Sequence, residues 1–323
     1  MHQIEPMDYK RHIKRIAEIE NAYQPGVTSE KELHDWHANY AAQRKPSEMF
    51  YSMVALDDSN AVIGYNELYH GVWQADGVFE IRVVVDLIRT RQGMGTKLYD
   101  DALAFAGAHQ AKRLRVSVSD DRPLFIRFAE QRGFERKSNS FKSSLDLPAF
   151  DESKLGDVLA AVSALQSDGL HLVSMAELGD TADARRKLHR INATTGNDQP
   201  DGDPNAPLPP FDDFNRDVCE QPWYRPEGQI VAVETNSGEF VGMCAVSIND
   251  EGRAYNLHTG VAREYRGRKL AQVLKLLAIR YARAKGATRL ETDNDSRNVP
   301  MLAVNVKFGY WRGRGKYQYE KTL

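Results

Sequence analysis

Two stretches of this chain bring unpaired backbone N–H groups and cationic side chains together, which is the chemistry of a phosphate grip. In Thr259–Ala271 (TGVAREYRGRKLA), Thr259 to Val261 read as a strand end and Arg263 to Lys269 as a basic loop with one glycine. From Leu270 onward, Leu270, Val273, Leu274, Leu277, Ala278 and Tyr281 follow the spacing of one buried helix face. The first N–H groups of a helix have no internal partner, and the helix dipole favours negative charge there. The second stretch, Asp86–Leu98 (DLIRTRQGMGTKL), follows the apolar run Val83–Val85. It leads into Leu98, Ala102, Phe105 and Ala106 at helical spacing.

The elements that must position these loops recur at a fixed distance. Gly93 lies 176 positions before Lys269, Gly95 lies 176 before Ala271, and Gly133-Phe134 lies 176 before Gly309-Tyr310. A constant offset at separate landmarks predicts two copies of one domain, and 323 residues are enough for two cores. We expect an N-terminal copy over 1–148, a helical connector over 149–169 and a C-terminal copy over 170–323.

In the first copy, helical spacing predicts a helix over Tyr9–Tyr23, and a capping pattern at Ser29 opens a second through Trp36 and Tyr40. Strands are predicted near Phe50–Leu56, Val62–Leu68, Phe79–Val85, Leu114–Val118 and Phe141–Leu147, with a helix over Pro123–Gln131. The second copy repeats this from Leu170, with a helix from Ala182 and strands at Gln229–Glu234, Phe240–Ser247, Tyr255–Val261 and Arg289–Thr292. A last helix over Asn298–Phe308 and a strand over Tyr317–Glu320 close it. Between these lies a proline-broken stretch, Gly196 to Pro226, carrying Phe214, Trp223 and Tyr224. Its length suits a loop that closes over a ligand, with those three aromatics as substrate-binding residues.

With these motifs in view, both copies resemble the GCN5-related N-acetyltransferase family, whose acetyl-CoA loop reads Arg/Gln-x-x-Gly-x-Gly/Ala. Arg266-Gly-Arg-Lys-Leu-Ala271 matches its first and last positions, with Lys269 in place of the middle glycine. Thr90-Arg-Gln-Gly-Met-Gly95 keeps both glycines, with Thr90 in place of the leading residue. The resemblance implies an α/β fold, a mixed sheet with helices on both faces in each of two tandem acyl-CoA N-acyltransferase domains. It implies acetyl-CoA as cofactor and, as activity, transfer of an acetyl group to a primary amine of a small molecule.

The family's layout then assigns residues. Acetyl-CoA would lie on Gly260 and Val261 of the strand, on Arg266, Gly267, Arg268, Lys269, Leu270 and Ala271 of the loop, and on Asn298 and Asn305 of the last helix. In the first copy the equivalents are Val85, Gly93 and Gly95. The family's thiolate-protonating tyrosine position holds Asn305 in the second copy and Ala129 in the first. An amide is a poor proton source, so the acid stays open. For the base, the resemblance points to Glu80 in the first copy, where Asn256 is its expected counterpart, and to His258 or Glu291 in the second. Deprotonation through water stays open. The second copy is the expected catalytic one. A non-catalytic acyl-CoA-binding or scaffold protein is the alternative.

Composition excludes other classes. Lys+Arg of 43 against Asp+Glu of 45 leaves no basic field for nucleic acid or anionic lipid. Two cysteines, Cys219 and Cys244, supply neither a disulfide framework nor a four-ligand metal site. No metal, nucleic-acid or membrane partner is expected, and the start of the chain has no signal-peptide pattern, so the cytoplasm is the expected location. Neither loop is a Gly-x-x-x-x-Gly-Lys-Ser/Thr nucleotide loop.

Overall fold

The structure, a computed structural model, describes residues 3–23, 30–31, 48–71, 77–200, 204–249 and 252–323. It contains two compact units, Met1–Lys137 with Tyr317–Leu323, and Ser138–Lys316.

The first unit runs β1 (Gln3–Pro6), α1 (Tyr9–Tyr23), β2 (Met49–Leu56), β3 (Val62–His70), β4 (Val78–Val85), α2 (Met94–Ala108), β5 (Arg113–Ser119) and α3 (Pro123–Glu130). β1 to β4 pair antiparallel in chain order, and β5 joins β4 in parallel after the α2 crossover. The sheet is covered on both faces. Ile16 and Ile19 of α1 pack on Val54, Val62 and Tyr65, while Tyr99, Ala102 and Ala106 of α2 pack with Phe79, Ile81 and Leu114. The predicted helix from Ser29 through Trp36 and Tyr40 falls outside the described residues, except Glu30 and Lys31, which are helical.

The second unit runs β6 (Glu135–Asp146), α4 (Gly156–Ser167), β7 (Leu170–Ser174), α5 (Ala182–Asn197), β8 (Gln229–Glu234), β9 (Phe240–Ile248), β10 (Arg253–Val261), α6 (Leu270–Ala284), β11 (Arg289–Asp295) and α7 (Val299–Lys307). Its sheet order is β6-β11-β10-β9-β8-β7. The last strand, β12 (Trp311–Thr322), begins in this unit and ends in the first. The strand around Phe141–Leu147, expected to close the first copy, instead pairs antiparallel with β11 from Ser140↔Asp295 to Asp146↔Arg289. The chain's last residues return to the first unit, where Glu320 meets Arg113 and Arg115 of β5. The two closing strands are thus exchanged.

Leu155, Val158 and Leu165 of the connector region are buried in the second core with Leu274, Ile279 and Leu290. Residues α4, α6 and α7 contribute to this face, whereas α5 and the segment around Phe214 cover Val231, Met243 and Ala245 on the other. No helix among the described residues is long and apolar enough to cross a membrane.

Candidate active site

Both units open their sheet at the same point. β10 pairs with β11 only from Arg253↔Arg289 to Tyr255↔Glu291, after which the two run on to Val261 and Asp295 without pairing to each other. β4 pairs with β5 only from Val78↔Arg113 to Glu80↔Arg115. The β10 edge beyond Tyr255 therefore offers backbone groups to a guest rather than to a strand. β10 also carries one extra residue. Its register with β9 shifts between Asn256 and His258, leaving Leu257 bulged and exposed, whereas no shift interrupts the β3–β4 pairing. The counterpart of Glu80 is therefore Tyr255, the last paired residue before the opening, and not Asn256. A bulge adds a residue without lengthening its partner, and the constant sequence offset hides it.

The loops after these strands share one backbone shape. Gly267 and Lys269 have φ of 79° and 62°; in the first unit Arg91 and Gly93, at the same two places, have 62° and 83°. Each loop thus spends a glycine on one left-handed position and strains a longer residue at the other, at about 1–2 kcal/mol. The N–H groups from Gly267 to Ala271 have no partner among the described residues, and nothing lies within 4 Å of a side chain added at Gly267. That open row of N–H groups at a helix start fits a pyrophosphate. Arg266 braces the loop by donating from Nε to the Val261 carbonyl at 3.0 Å. Its guanidinium and that of Arg263 also hold Asp198, whose carboxyl they keep below its usual range. Lys269 pairs with Asp157 at 2.8 Å, and Arg268 lies over the Tyr265 ring. Leu270 is a core residue, and Ala271 is half-buried beside it.

A cavity occupies the opening between β10 and β11. Asn256 to Thr259 line one wall, Thr292 to Asp295 the other, and Asn298 and Met301 of α7 and Gln199 and Pro200 after α5 also contribute. The Lys275 side chain reaches it from α6.

A sequence pattern described as the Acetyltransferase (GNAT) family matches residues 13–134 and again 188–310, most of the chain. The chain belongs to this family. It is 26% identical over 237 residues to the mycothiol acetyltransferase of Thermobifida fusca (strain YX), covering 70% of each protein. In fold it is similar to a GCN5-related N-acetyltransferase from Sphaerobacter thermophilus, with a TM-score of 0.66 over 99% of this chain and 95% of that one at 16% identity. A tandem GNAT protein from the clavulanic acid biosynthesis pathway matches 100% of this chain and 98% of its own at a TM-score of 0.63 and 18% identity.

Within this GNAT pair the expected site residues fall in different places. Asn298 lines the cavity and caps α7 through the Met301 N–H at 3.4 Å. Asn305 is buried behind it, donating to Asn294 Oδ1 at 2.6 Å, with its own Oδ1 unpartnered among the described residues. His258 lines the cavity, but both ring nitrogens are engaged. Gln199 Nε2 lies 3.0 Å from Nδ1, and Thr195 Oγ1 lies 2.7 Å from Nε2. Thr195 also donates to the Ile191 carbonyl at 2.6 Å, so the ring is neutral with its hydrogen on Nε2. Burial pushes its pKa down to about 4, which makes it a weak base. Glu291 is not brought to it: its contacts are Ser144 at 3.5 Å and Lys142 at 3.7 Å. Gly260 carries no side chain because α5 lies on it; an added Cβ would sit 2.1 Å from Thr195 Oγ1.

The aromatic segment is not a loose cover. Phe214 and Tyr224 are core residues with Met175, Leu188 and Met243, and Trp223 packs half-buried against them. Tyr224 also donates to Asp180 at 2.8 Å. The cavity wall from this region is Gln199 and Pro200 instead. A proline-rich stretch shows only that regular structure is broken, and its aromatics found the nearest apolar face.

In the first unit aromatic side chains pack at the corresponding strand end and loop. The Tyr23 hydroxyl, at the end of α1, donates to the Val85 carbonyl. Arg122 donates to the Tyr23 carbonyl, and Phe125 packs edge-on against the Tyr23 ring at 5.1 Å. Gly95 has the Phe128 ring 3.2 Å from where a Cβ would be. Glu80 is exposed at the last paired position.

One residue escaped the sequence reading. Lys275 is 1% exposed, in the middle of α6. A lysine in an amphipathic helix reads as its solvent face, but Lys275, Ile279 and Ala282 form one buried stripe at i, i+4 and i+7, which was the available signal.

Proposed function

We propose that this protein transfers the acetyl group of acetyl-CoA directly to a primary amine of a small molecule, in a ternary complex held by the second unit. The observation that carries this is the contrast between the two openings. Free loop N–H groups are common to both units, from Gly267 to Ala271 and from Arg91 to Gly95, but beside the second lies the β10–β11 cavity, whereas at the first opening Tyr23 sits on Val85 and packs against Phe125. Acetyl-CoA supplies an acyl carbon activated as a thioester. The chain supplies the rest: the N–H groups of Gly267 to Ala271 bind phosphate, and the unpaired β10 edge beyond the Leu257 bulge orients the acyl group and offers donors to its oxygen. Asp293, exposed in the cavity wall, gives a carboxylate to attract a cationic amine. With His258 neutral and saturated, the amine loses its proton to cavity water. The relative's name, mycothiol acetyltransferase, supports a small acceptor.

Asn305 in place of a tyrosine favours a second reading, binding without turnover. The same experiment separates them. Calorimetry with acetyl-CoA should find one site, lost at least tenfold in Gly267→Val and kept in Gly93→Val. Mass spectrometry of an amine panel incubated with acetyl-CoA should then show an acetylated product. Binding lost in Gly93→Val alone would move the site to the first unit, and binding with no product from any amine would favour the second reading.

A further inference from the structure

Lys275 is buried without a counter-charge among the described residues. Its Nζ donates to Asn256 Oδ1 at 3.1 Å and sits 4.8 Å from the centre of the Tyr310 ring. Among the described residues no carboxylate reaches it, although burying an unpaired ammonium is costly by several kcal/mol. The fold does not require a lysine here. In the first unit the residue at the same distance past the loop is Tyr99, which packs α2 into an aromatic cluster. The Lys275 side chain lines the cavity, where it is the one cation among the described lining residues.

We propose that Lys275 is the proton donor to the thiolate released from acyl-CoA, acting from α6 in place of a tyrosine on α7. This rests on the second unit being the acetyl-CoA site. In the step, the amine nitrogen bonds to the acyl carbon, the C–S bond breaks with its electron pair on sulfur, and one Nζ–H proton passes to that sulfur. The acceptor nitrogen loses one proton to water, and the neutral amine of Lys275 takes one back from water, so that an amide and a thiol leave.

The surroundings leave little alternative. Asn305 is an amide, and His258 holds its Nε2 hydrogen on Thr195. Asp295 is bound to Arg297 and held below its usual range. Cys244 on β9 lies against Asn256 and Thr259, with its thiol raised by burial. The Tyr310 phenol is held well above its usual range by burial. Burial lowers Lys275 itself to about 8, with Cys244 opposing, which matches it to a thiol of ordinary acidity.

CoA is the probe for the test. Its thiol, bound to wild type, Lys275→Met and Lys275→Arg, is titrated by thiolate absorbance, and the affinity of each protein is measured by calorimetry. In wild type the bound thiol should ionise at least one pH unit lower than in Lys275→Met, with affinities within threefold. With an amine that the wild type acetylates, kcat should fall about a hundredfold in Lys275→Met. Lys275→Arg, which keeps the charge but does not release a proton, should keep the thiol shift and lose kcat alike; should Lys275→Met fail to fold, this variant decides. Equal thiol ionisation in wild type and Lys275→Met, or full kcat in either variant, overturns the proposal. Absence of CoA binding to wild type overturns the assignment of the second unit as well, and is told apart by the calorimetry.

Discussion

Gly260 shows how one missing side chain sets the spacing of a site. Thr195 of α5 and the His258 ring both lie within contact distance of its Cα, at 2.1 and 2.7 Å from where a Cβ would be. Thr195 also fixes the His258 tautomer, so helix position and ring chemistry are linked through this point. Gly260→Ala should force α5 away from β10 and cost about 1–3 kcal/mol of stability, as overpacking does. Urea unfolding checks it, and an unchanged midpoint would show that α5 is not seated on β10. The change should also release His258 toward its ordinary pKa, readable by NMR titration of the ring.

At the scale of elements, the α5 end and the phosphate loop are tied by Asp198. It accepts from Arg263 Nε at 3.1 Å and from Arg266, the loop's brace. A carboxylate on these guanidiniums competes with any phosphate for the same charge. Asp198→Asn should therefore tighten acetyl-CoA two- to tenfold, mostly by freeing Arg266, in calorimetry at low salt, with the gain shrinking as salt screens the exposed arginines. Weaker binding would mean that Asp198 orients the arginines instead of competing for them. In the first unit the Tyr23 hydroxyl holds the Val85 carbonyl, at the place where Arg266 holds that of Val261 in the second. Tyr23→Phe should cost about 1 kcal/mol of stability in denaturant unfolding, through the carbonyl left without its donor. It should leave acetyl-CoA binding unchanged.

At the scale of the whole molecule, two buried groups, one in each unit, respond oppositely to acid. In the first, burial raises the Glu67 carboxyl to about 7, with Arg82 opposing and Glu20 adding to the rise. A raised carboxyl contributes stability below its unfolded pKa, near 4.5, and loses it as pH rises through 7. In the second, His258 is depressed to about 4. Between pH 4 and 6.5 the unfolded chain binds the proton that the folded ring refuses, so stability falls as pH drops through that window. Each effect is about 1–3 kcal/mol. Amide exchange, converted to opening free energies, should show β3 and β4 more protected at pH 5 than at pH 7, and β10 and α5 less. Parallel changes in these two pairs of elements would contradict one of the two assignments.

How much of this was legible follows from how local each determinant is. The repeat, the loop-and-helix starts, and the strands through Gln229–Glu234 and Val62–His70 are encoded in periodicity and glycine placement, which depend on near neighbours alone. So is the capping role of Asn298, a short polar side chain at a helix start. Tertiary packing decided the rest. The Leu257 bulge moved the counterpart of Glu80 to Tyr255, because register is a property of two strands and not of one. Packing between elements set Tyr23 on Val85, exchanged the closing strands, and sank Phe214 and Tyr224 into the core. It also buried Lys275 beneath the second opening. A side chain's charge is written in the sequence, but whether water or Asn256 surrounds it is fixed only when the helix meets the sheet.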